Sequence, residues 1–260
     1  HVVETDASTN TPEAIANHQK GKAEKTLEHV DIMHYESMKT ELRELARRVE
    51  ALPVQLYIQM QCQLQLVLAV VNTAVLYYVQ RYPQTLRRFR WRIDQKNSSK
   101  TEYEDAYLKV LPAFLQSASI NEPLIMLREG IYSWFDRFYY PRGEEPTYLQ
   151  DVYGIKLEDA DDRKLDIGKV VQEDMELVDS KQELAVQVAD LLASGFRRCL
   201  RNGFRKNLEV AERIGSLMVQ AYYNRSPVRL VAFGDMEGYV NNKAGAAINR
   251  MREHARPMVR

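Results

Sequence analysis

The sequence predicts a helix-rich α/β fold, and three of its features carry this prediction. Apolar residues recur at three- and four-residue spacing in several long segments, which is typical of amphipathic helices. One segment, residues 88–94, alternates charged and large apolar residues as a half-buried strand does. A content of 45% apolar residues over 260 positions is enough to fill a core, so we expect a folded chain rather than a disordered one.

The N-terminal part of the chain is predicted to hold a polar segment followed by two helices. Residues 6–22 are polar and show no apolar period, which indicates a loop or a tail. Residues 37–53 carry apolar side chains on one side of a helix that ends at a proline. A longer helix at residues 54–80 is apolar almost all round in its second half, so neighbouring elements must cover it. We interpret its apolar stretch Leu64–Val79 as a buried helix, because polar residues interrupt it and it falls short of the roughly 20 residues of a membrane span.

Residues 88–94 carry the clearest strand pattern. Apolar residues that face the core alternate with charged residues on the other face, in the order Arg88, Phe89, Arg90, Trp91, Arg92, Ile93 and Asp94. A helix is predicted to follow over residues 100–116, with Ser98 or Ser99 as its cap. Glu102 and Glu104 would lie in its first turn, where the helix dipole favours carboxylates.

The second half of the chain combines helices, short strands and an acidic segment. Residues 123–127 fit a short strand, and the aromatic segment 132–140 is either core beneath a loop or a contact surface for a second copy or a partner protein. The acidic composition of residues 144–179 predicts a solvated loop. The remaining predicted elements are strands at residues 175–178 and 228–233 and helices at residues 182–200, 208–222 and 241–254.

The composition argues against several classes of function. Lys plus Arg and Asp plus Glu number 36 each, so no global positive field points to nucleic acid, and such a partner needs a local patch. Cys62 and Cys199 lie far apart in helical patterns, which favours a reducing, cytoplasmic location over a disulfide framework. His29 and His34 are out of phase on a helix and have no accompanying cysteine, which argues against zinc. We find no glycine-rich phosphate loop, nucleophile elbow or secretion signal.

Asp94 is the first candidate for a functional residue, because it closes the predicted strand. Ligand and metal sites in α/β folds gather at strand ends. The arginines on its face, together with Lys96, would suit a phosphate backbone beside a bound divalent ion. A solvated edge strand explains the same arginines equally well.

Asp190 is the second candidate, because it interrupts the broad apolar face of the helix predicted at residues 182–200. A carboxylate there is costly unless it is hydrogen-bonded, paired or bound to a cation. Helical geometry aligns Asp190 with Arg197 and Arg201, so an ion pair with an arginine at the edge of the core is the alternative to a cation site. The arginines at the end of this helix either balance its dipole or form part of a nucleic-acid groove.

Three segments of the chain resemble the domain of unknown function 3800 family. They are the strand Phe89–Lys96, the pair Tyr103-Glu104 and the stretch from Asp179-Ser180-Lys181 to Gln187-Val188-Ala189-Asp190-Leu191. The matching region runs from about Leu42 to Phe204. The resemblance implies a ribonuclease-H-like fold, with a mixed central sheet and flanking helices. We expect a polar lead-in at residues 1–36, the ribonuclease-H-like core at residues 37–206 and a helical extension at residues 207–260.

The same resemblance implies a divalent metal site built from acidic residues. The strand-end and helix carboxylates would be its main groups, and two further acids nearby are weaker candidates for catalysis or metal binding. These four residues are Asp94, Asp190, Glu104 and Asp179. Mg²⁺ or Mn²⁺ would suit such oxygen ligands. The basic residues expected to contact substrate phosphate are Arg92, Lys96 and Arg197.

One feature of the family is missing from the sequence. The family opens with a strand that ends in an Asp-Glu-Ser-Gly motif, and the nearest counterpart here, Val3-Glu4-Thr5-Asp6, lacks the glycine. Either the first strand precedes His1 or the chain has lost part of the site. Two hypotheses follow. One is a metal-dependent nuclease or phosphodiesterase, and the other is a catalytically inactive ribonuclease-H-like module that binds protein or nucleic acid, in a prophage or antiviral defence system.

Overall fold

The protein is described by a computed structural model over residues 2–4, 10–28, 30, 36–97, 99–121, 125–141, 144, 165–220, 226–234 and 242–259. Helix makes up 66% of the structure and short parallel strands accompany it, which confirms the helix-rich α/β class. The α-helices of these residues are α1 (Pro12–Glu28), α2 (Glu36–Glu50), α3 (Val54–Arg81), α4 (Glu102–Asn121), α5 (Ile167–Gln172), α6 (Leu184–Leu200), α7 (Asn207–Leu217) and α8 (Asn242–His254).

The described strands form two separate parallel pairs. β1 (Val2–Glu4) pairs with β4 (Val228–Leu230), and β2 (Trp91–Asp94) pairs with β3 (Met175–Val178). Within the described residues these strands do not make the single mixed central sheet that the resemblance implies. The ribonuclease-H-like fold therefore stays a prediction, whereas the coarser class is established.

Helix α1 occupies residues for which the sequence predicted a loop or a tail, so that prediction is wrong. The helix buries Ile15, Gln19 and Ala23, which are four residues apart on one face. Because the middle residue of the three is polar, the sequence shows no apolar repeat at this spacing. The amide of Gln19 is the reason that a polar side chain can be buried there. It donates to three carbonyl oxygens at the end of α2, those of Val49, Glu50 and Leu52, at 2.8, 3.1 and 2.9 Å.

We expect Gln19→Leu to lower the free energy of unfolding by about 2 kcal/mol, because it removes the side-chain donor to the Glu50 and Leu52 carbonyl oxygens and leaves Val49 only the bond from the backbone nitrogen of Leu52 at 3.3 Å. Urea unfolding followed by circular dichroism measures the change. Asn17 lies exposed on the same helix and provides the matched control, since Asn17→Leu should stay within about 0.5 kcal/mol of the wild type. Equal unfolding midpoints for the two variants would contradict this role of the Gln19 amide.

Helices α2 and α3 confirm the two helices predicted between residues 37 and 80. Within α3, Tyr57, Met60 and Leu64 are at most 1% exposed and lie in the main hydrophobic core. Among the described helices, α3 alone is long and apolar enough to span a membrane, judged by length and composition. Its buried side chains pack against α4 and against the residues that follow α3.

Residues 83–94 form a 3₁₀ helix, Pro83–Arg88, followed by β2, so the strand begins later than the sequence predicts. Phe89, Trp91 and Ile93 pack against the main core, as their alternation predicts. The indole nitrogen of Trp91 also donates to the carbonyl oxygen of Val170 at 2.8 Å. These contacts fix β2 between the core and α5.

The aromatic segment 132–140 belongs mainly to the core. A second 3₁₀ helix, Ser133–Phe138, buries Phe135 and Phe138, and Tyr139 after it is also buried. Their burial confirms the interpretation of this segment as core. Trp134 differs from its neighbours, because 38% of its surface is exposed.

Two predictions for the middle of the chain need correction. Residues 125–127 form no strand, and Ile125 and Met126 are exposed, so their apolar character does not reflect burial. The start of that predicted strand lies outside the described residues. The segment 144–179, predicted as an acidic loop, contains α5, which Asp166 caps by accepting a hydrogen bond from the backbone nitrogen of Lys169 at 3.0 Å. The part of this segment at residues 145–164 also lies outside the description.

A second hydrophobic cluster joins α6, α7 and α8. Phe196 and Cys199 of α6, Ala211 of α7 and Met251 of α8 are each at most 1% exposed. A domain boundary at residue 206 would separate α6 from two helices with which it shares this cluster. The division at residues 36 and 206 stays a prediction.

Candidate functional site at the carboxyl edge of β2 and β3

The parallel pairing of β2 and β3 brings two predicted site residues to one edge. Asp94 is the last residue of β2 and lies opposite Val178, the last residue of β3. Asp179 follows directly, and the backbone nitrogen of Gln95 donates to the carbonyl oxygen of Val178 at 2.9 Å. Because parallel strands end at the same edge, Asp94 and Asp179 both lie at the edge where ligands bind in α/β folds.

The two carboxylates differ in how they are held. The Asp179 Oδ1 accepts a hydrogen bond from the backbone nitrogen of Lys181 at 3.0 Å, which shapes the turn that leads into α6. The Asp94 side chain is exposed and has no hydrogen-bond or ion-pair partner within the part of the chain that the structure describes. The edge therefore offers one oriented carboxylate and one that is free to bind.

Helix α6 lies next to this edge and carries Asp190. The helix contacts β2, and the Gln187 amide donates to the carbonyl oxygens of Ser180 and Lys181 at 2.8 and 3.1 Å, which ties α6 to the turn after β3. Asp190 lies three residues beyond Gln187, on the exposed part of the helix.

The sequence-based argument that Asp190 is buried on an apolar face is wrong. Its side chain is exposed, and so are the apolar residues around it: Leu184 is 72% exposed and Leu191 is 74% exposed. Only the C-terminal half of α6, through Phe196 and Cys199, packs into the second cluster. Asp190 therefore has no cost of burial that a cation or an arginine must offset.

The acids of the described residues form no group of three or more His, Cys, Asp or Glu side chains that could hold a metal ion. The strand edge can still supply two carboxylates. Mg²⁺ keeps several water ligands and is commonly bound through one or two protein carboxylates. The donor types of Asp94 and Asp179, carboxylate oxygens completed by water, thus suit a hard divalent ion.

Glu104 has a structural role that the sequence-based prediction of a catalytic acid missed. Thr101 and Glu104 form a capping box at the start of α4, in which each side chain bonds the backbone nitrogen of the other residue, at 3.2 and 2.7 Å. The second carboxylate oxygen accepts from the backbone nitrogen of Lys96 at 2.9 Å. Burial by itself would raise the pKa of Glu104, but these hydrogen bonds outweigh it and lower the pKa. Both oxygens are engaged, so we leave Glu104 out of the candidate site.

Arg92 and Lys96 flank Asp94, as the sequence predicts for phosphate-binding groups, but both have partners. The Arg92 guanidinium lies 3.2 Å from a carboxylate oxygen of Glu176 on β3. The Lys96 ammonium donates to the side-chain oxygen of Gln59 at 2.8 Å and lies over the Tyr103 ring. Lys96 is exposed, and to bind a phosphate it would lose only its hydrogen bond to the neutral amide of Gln59. Arg92 would have to bind the phosphate while it remains paired with Glu176.

Arg197 borders a hollow at the end of α6. The hollow has a volume of about 380 Å³ and is lined by Ser194, Arg197, Arg198, Arg201 and Gly203. Arg198 is held there, since its Nε donates to the Gly203 carbonyl oxygen at 2.9 Å. Arg197 and Arg201 are exposed and form no ion pair with any residue in the described ranges. Their guanidinium groups are available to an anion.

Comparison of the chain with family models, curated proteins and solved structures found no match. The resemblance to the domain of unknown function 3800 family therefore rests on the motifs around Asp94 and Asp190.

Proposed function

We propose that this chain is a divalent-metal-dependent phosphodiesterase or nuclease with a ribonuclease-H-like organisation. The observation that carries the proposal is the parallel pairing of β2 and β3, which delivers Asp94 and Asp179 to one carboxyl edge beside α6. Two of the motifs that resemble the family meet at this edge, since Phe89–Lys96 ends there and the stretch from Asp179 begins there. Neither Cys62 nor Cys199 forms a disulfide in the part of the chain that the structure describes, which supports the proposed cytoplasmic location.

The residues at the carboxyl edge have different roles in this proposal. Asp94 and Asp179 would hold Mg²⁺ or Mn²⁺, and Lys96 would meet the phosphate of the nucleic acid. When bound, the ion would activate water and stabilise negative charge on the phosphate oxygens. Arg92 would contact the phosphate only by sharing its guanidinium group with Glu176. Asp190 is an exposed acid on the neighbouring helix and would be a further ligand of the ion or of its water molecules.

Mn²⁺ should raise the free energy of unfolding by about 2 to 3 kcal/mol at a concentration a hundred times its dissociation constant. Asp94→Asn and Asp179→Asn should each weaken ion binding by at least roughly 10- to 100-fold, the cost of altering a residue that only orients a metal ligand. Thermal unfolding in a Mn²⁺ titration measures affinity, and cleavage of a labelled oligonucleotide with Mg²⁺ or Mn²⁺ measures activity. Asp190→Asn, assayed in parallel, shows whether that acid takes part.

The control for this experiment is Glu173→Gln. Glu173 is an exposed carboxylate near the amino end of β3, at the opposite end of the strand from Asp179, so its loss should change neither ion affinity nor cleavage. Metal-dependent cleavage that survives both Asp94→Asn and Asp179→Asn would refute the site. If the wild-type protein neither binds Mn²⁺ nor cleaves the oligonucleotide, the proposal that it is a metal-dependent enzyme is wrong.

A second candidate function is a catalytically inactive module that binds nucleic acid or a partner protein. It is favoured by the unpaired guanidinium groups of Arg197 and Arg201 at the hollow, and by the lack of a three-acid group among the described residues. On this hypothesis the protein binds an oligonucleotide in EDTA, shows no Mn²⁺ stabilisation, and loses affinity on Arg197→Ala and Arg201→Ala. A role in prophage or antiviral defence is compatible with either function.

A further inference from the structure

The two 3₁₀ helices form a basic and aromatic surface that lies outside the carboxyl edge of β2 and β3. The helices Pro83–Arg88 and Ser133–Phe138 pack against each other, and the Phe89 ring lies edge-on to the rings of Phe135 and Phe138, with centroids 6.0 and 6.3 Å apart. Residues next to these buried rings are thereby held in one region of the surface. We call this region the arginine–aromatic surface, and its residues are Tyr82, Arg87, Arg88, Arg90 and Trp134.

The three arginines of the arginine–aromatic surface carry unbalanced charge. Arg87, Arg88 and Arg90 are exposed, and within the described ranges none of them has an ion-pair or hydrogen-bond partner for its guanidinium group. Two arginines nearby contrast with them, because Arg92 is paired with Glu176 and Arg137 with Asp174. Three unpaired guanidinium groups within four residues form a local positive patch on a chain of zero net charge.

The two aromatic residues of the surface are exposed although their neighbours are buried. Tyr82 is 58% exposed and Trp134 is 38% exposed, whereas Phe135 beside Trp134 is fully buried. The backbone holds both aromatics in place. The Tyr82 carbonyl oxygen accepts from Thr85, and the backbone nitrogen of Ile131 donates to the Val79 carbonyl oxygen at 3.2 Å, which joins the segment before Trp134 to the end of α3.

We propose that the arginine–aromatic surface binds single-stranded nucleic acid. Arg87, Arg88 and Arg90 contact successive phosphates, and unpaired bases stack on Tyr82 and Trp134. Base faces are accessible in a single strand and covered in a duplex, so the exposed rings favour the single strand. The surface lies outside the proposed metal site, and its binding does not depend on hydrolysis.

The test is fluorescence anisotropy of labelled oligothymidylate, oligouridylate and a duplex, each of about 20 nucleotides, in EDTA so that no cleavage interferes. We expect either single strand to bind at least roughly tenfold more tightly than the duplex. Arg87→Ala, Arg88→Ala and Arg90→Ala combined should weaken single-strand binding roughly tenfold or more at low salt. Because each phosphate contact contributes about 0.7 to the slope of log affinity against log salt, this variant should lose about 2 from the slope.

The fluorescence of Trp134 tests for base stacking, because binding through phosphate contacts alone would leave this fluorescence unchanged. Stacking of a base on the indole quenches its emission, so oligothymidylate should quench the wild-type fluorescence and leave that of Trp134→Leu unchanged. Tyr82→Ala and Trp134→Leu should each lower affinity roughly 5- to 100-fold, the range of one lost base–aromatic stack. Comparison of oligothymidylate with oligouridylate shows whether the surface prefers single-stranded DNA or single-stranded RNA.

The control is a triple substitution of basic residues elsewhere, Arg43→Ala, Arg213→Ala and Arg252→Ala, which removes the same charge and should leave affinity within about twofold. Circular dichroism and urea midpoints establish that each variant is folded. The proposal is overturned if the arginine triple variant binds as tightly as this control, if the duplex binds as tightly as the single strands, or if Trp134 emission does not respond. None of these results depends on whether the carboxyl edge cleaves phosphodiesters.

Discussion

Gly215→Ala should lower the free energy of unfolding by about 3 kcal/mol, one of the two largest effects that we expect for a single substitution in this protein. Gly215 lies where α7 crosses α8, and an added Cβ would lie 2.5 Å from the carbonyl oxygen of Met251 and 2.8 Å from its Cα. These atoms belong to the backbone of a helix, so they cannot move aside as a flexible side chain does. Insertion of a methyl group into such a contact forces the two helices apart.

The measurement is thermal unfolding, in which about 3 kcal/mol corresponds to a fall of roughly 6 to 12 °C in Tm for a domain of this size. Gly195→Ala in α6 and Gly21→Ala in α1 are matched controls, because a Cβ at either position meets no atom within 4 Å. Alanine favours helix over glycine, so both controls should gain up to about 1 kcal/mol. A Gly215→Ala protein as stable as these controls would show that α7 and α8 do not cross as closely as the structure has them.

Glu104→Ala should lower the free energy of unfolding by about 3 kcal/mol, the second large effect. The substitution removes the acceptor of the Thr101 and Lys96 backbone nitrogens and breaks the capping box that begins α4. Glu102→Gln is the matched control, since this exposed carboxylate lies in the same turn and should change stability by less than about 0.5 kcal/mol. Urea unfolding at neutral pH measures both variants.

The pH dependence adds a second readout for Glu104. Its pKa is lower in the folded protein than its usual value of 4.5, so the unfolded chain binds more protons between the two values and stability is lost as the pH falls through them. Glu104→Gln cannot titrate at this position. The difference in stability between the wild type and Glu104→Gln should therefore be largest above pH 4.5 and shrink at lower pH. A difference that stays constant down to strongly acidic pH would contradict the hydrogen bonds assigned to this carboxylate.

The elements that the sequence predicted well are those with an uninterrupted apolar period. Helices α2, α3, α6 and α8 and the strand β3 begin and end within a few residues of their predicted bounds. Helix α1 was missed because Gln19 takes a core position, and only its three carbonyl partners at the end of α2 explain why a polar residue can be there. The sequence analysis predicted Ser98 or Ser99 as the cap of α4, but the cap is Thr101. The pattern Thr101-x-x-Glu104 is that of a capping box, so the sequence does contain this signal.

The candidate site was predicted in part. Asp94 at a strand end could be read from the alternation of residues 88–94, whereas Asp179 was expected only as a weaker candidate from the family resemblance. Their meeting at one edge depends on parallel pairing between strands about eighty residues apart, which no local period reports. The unpaired arginines of the arginine–aromatic surface are visible in the sequence only as charges, because an ion pair such as that of Arg92 with Glu176 joins residues remote along the chain.

By itself the sequence determined where the chain forms helices and which side chains can face a core, because periodicity is set within a few residues by backbone geometry. Tertiary structure alone decided which of those faces is covered. Asp190 shows the difference, since its helix is amphipathic as predicted, yet Leu184, Leu191 and the carboxylate of Asp190 itself are exposed. Burial depends on which remote segments pack together, and this long-range pairing determines whether an acid is a ligand, a cap or a solvated side chain.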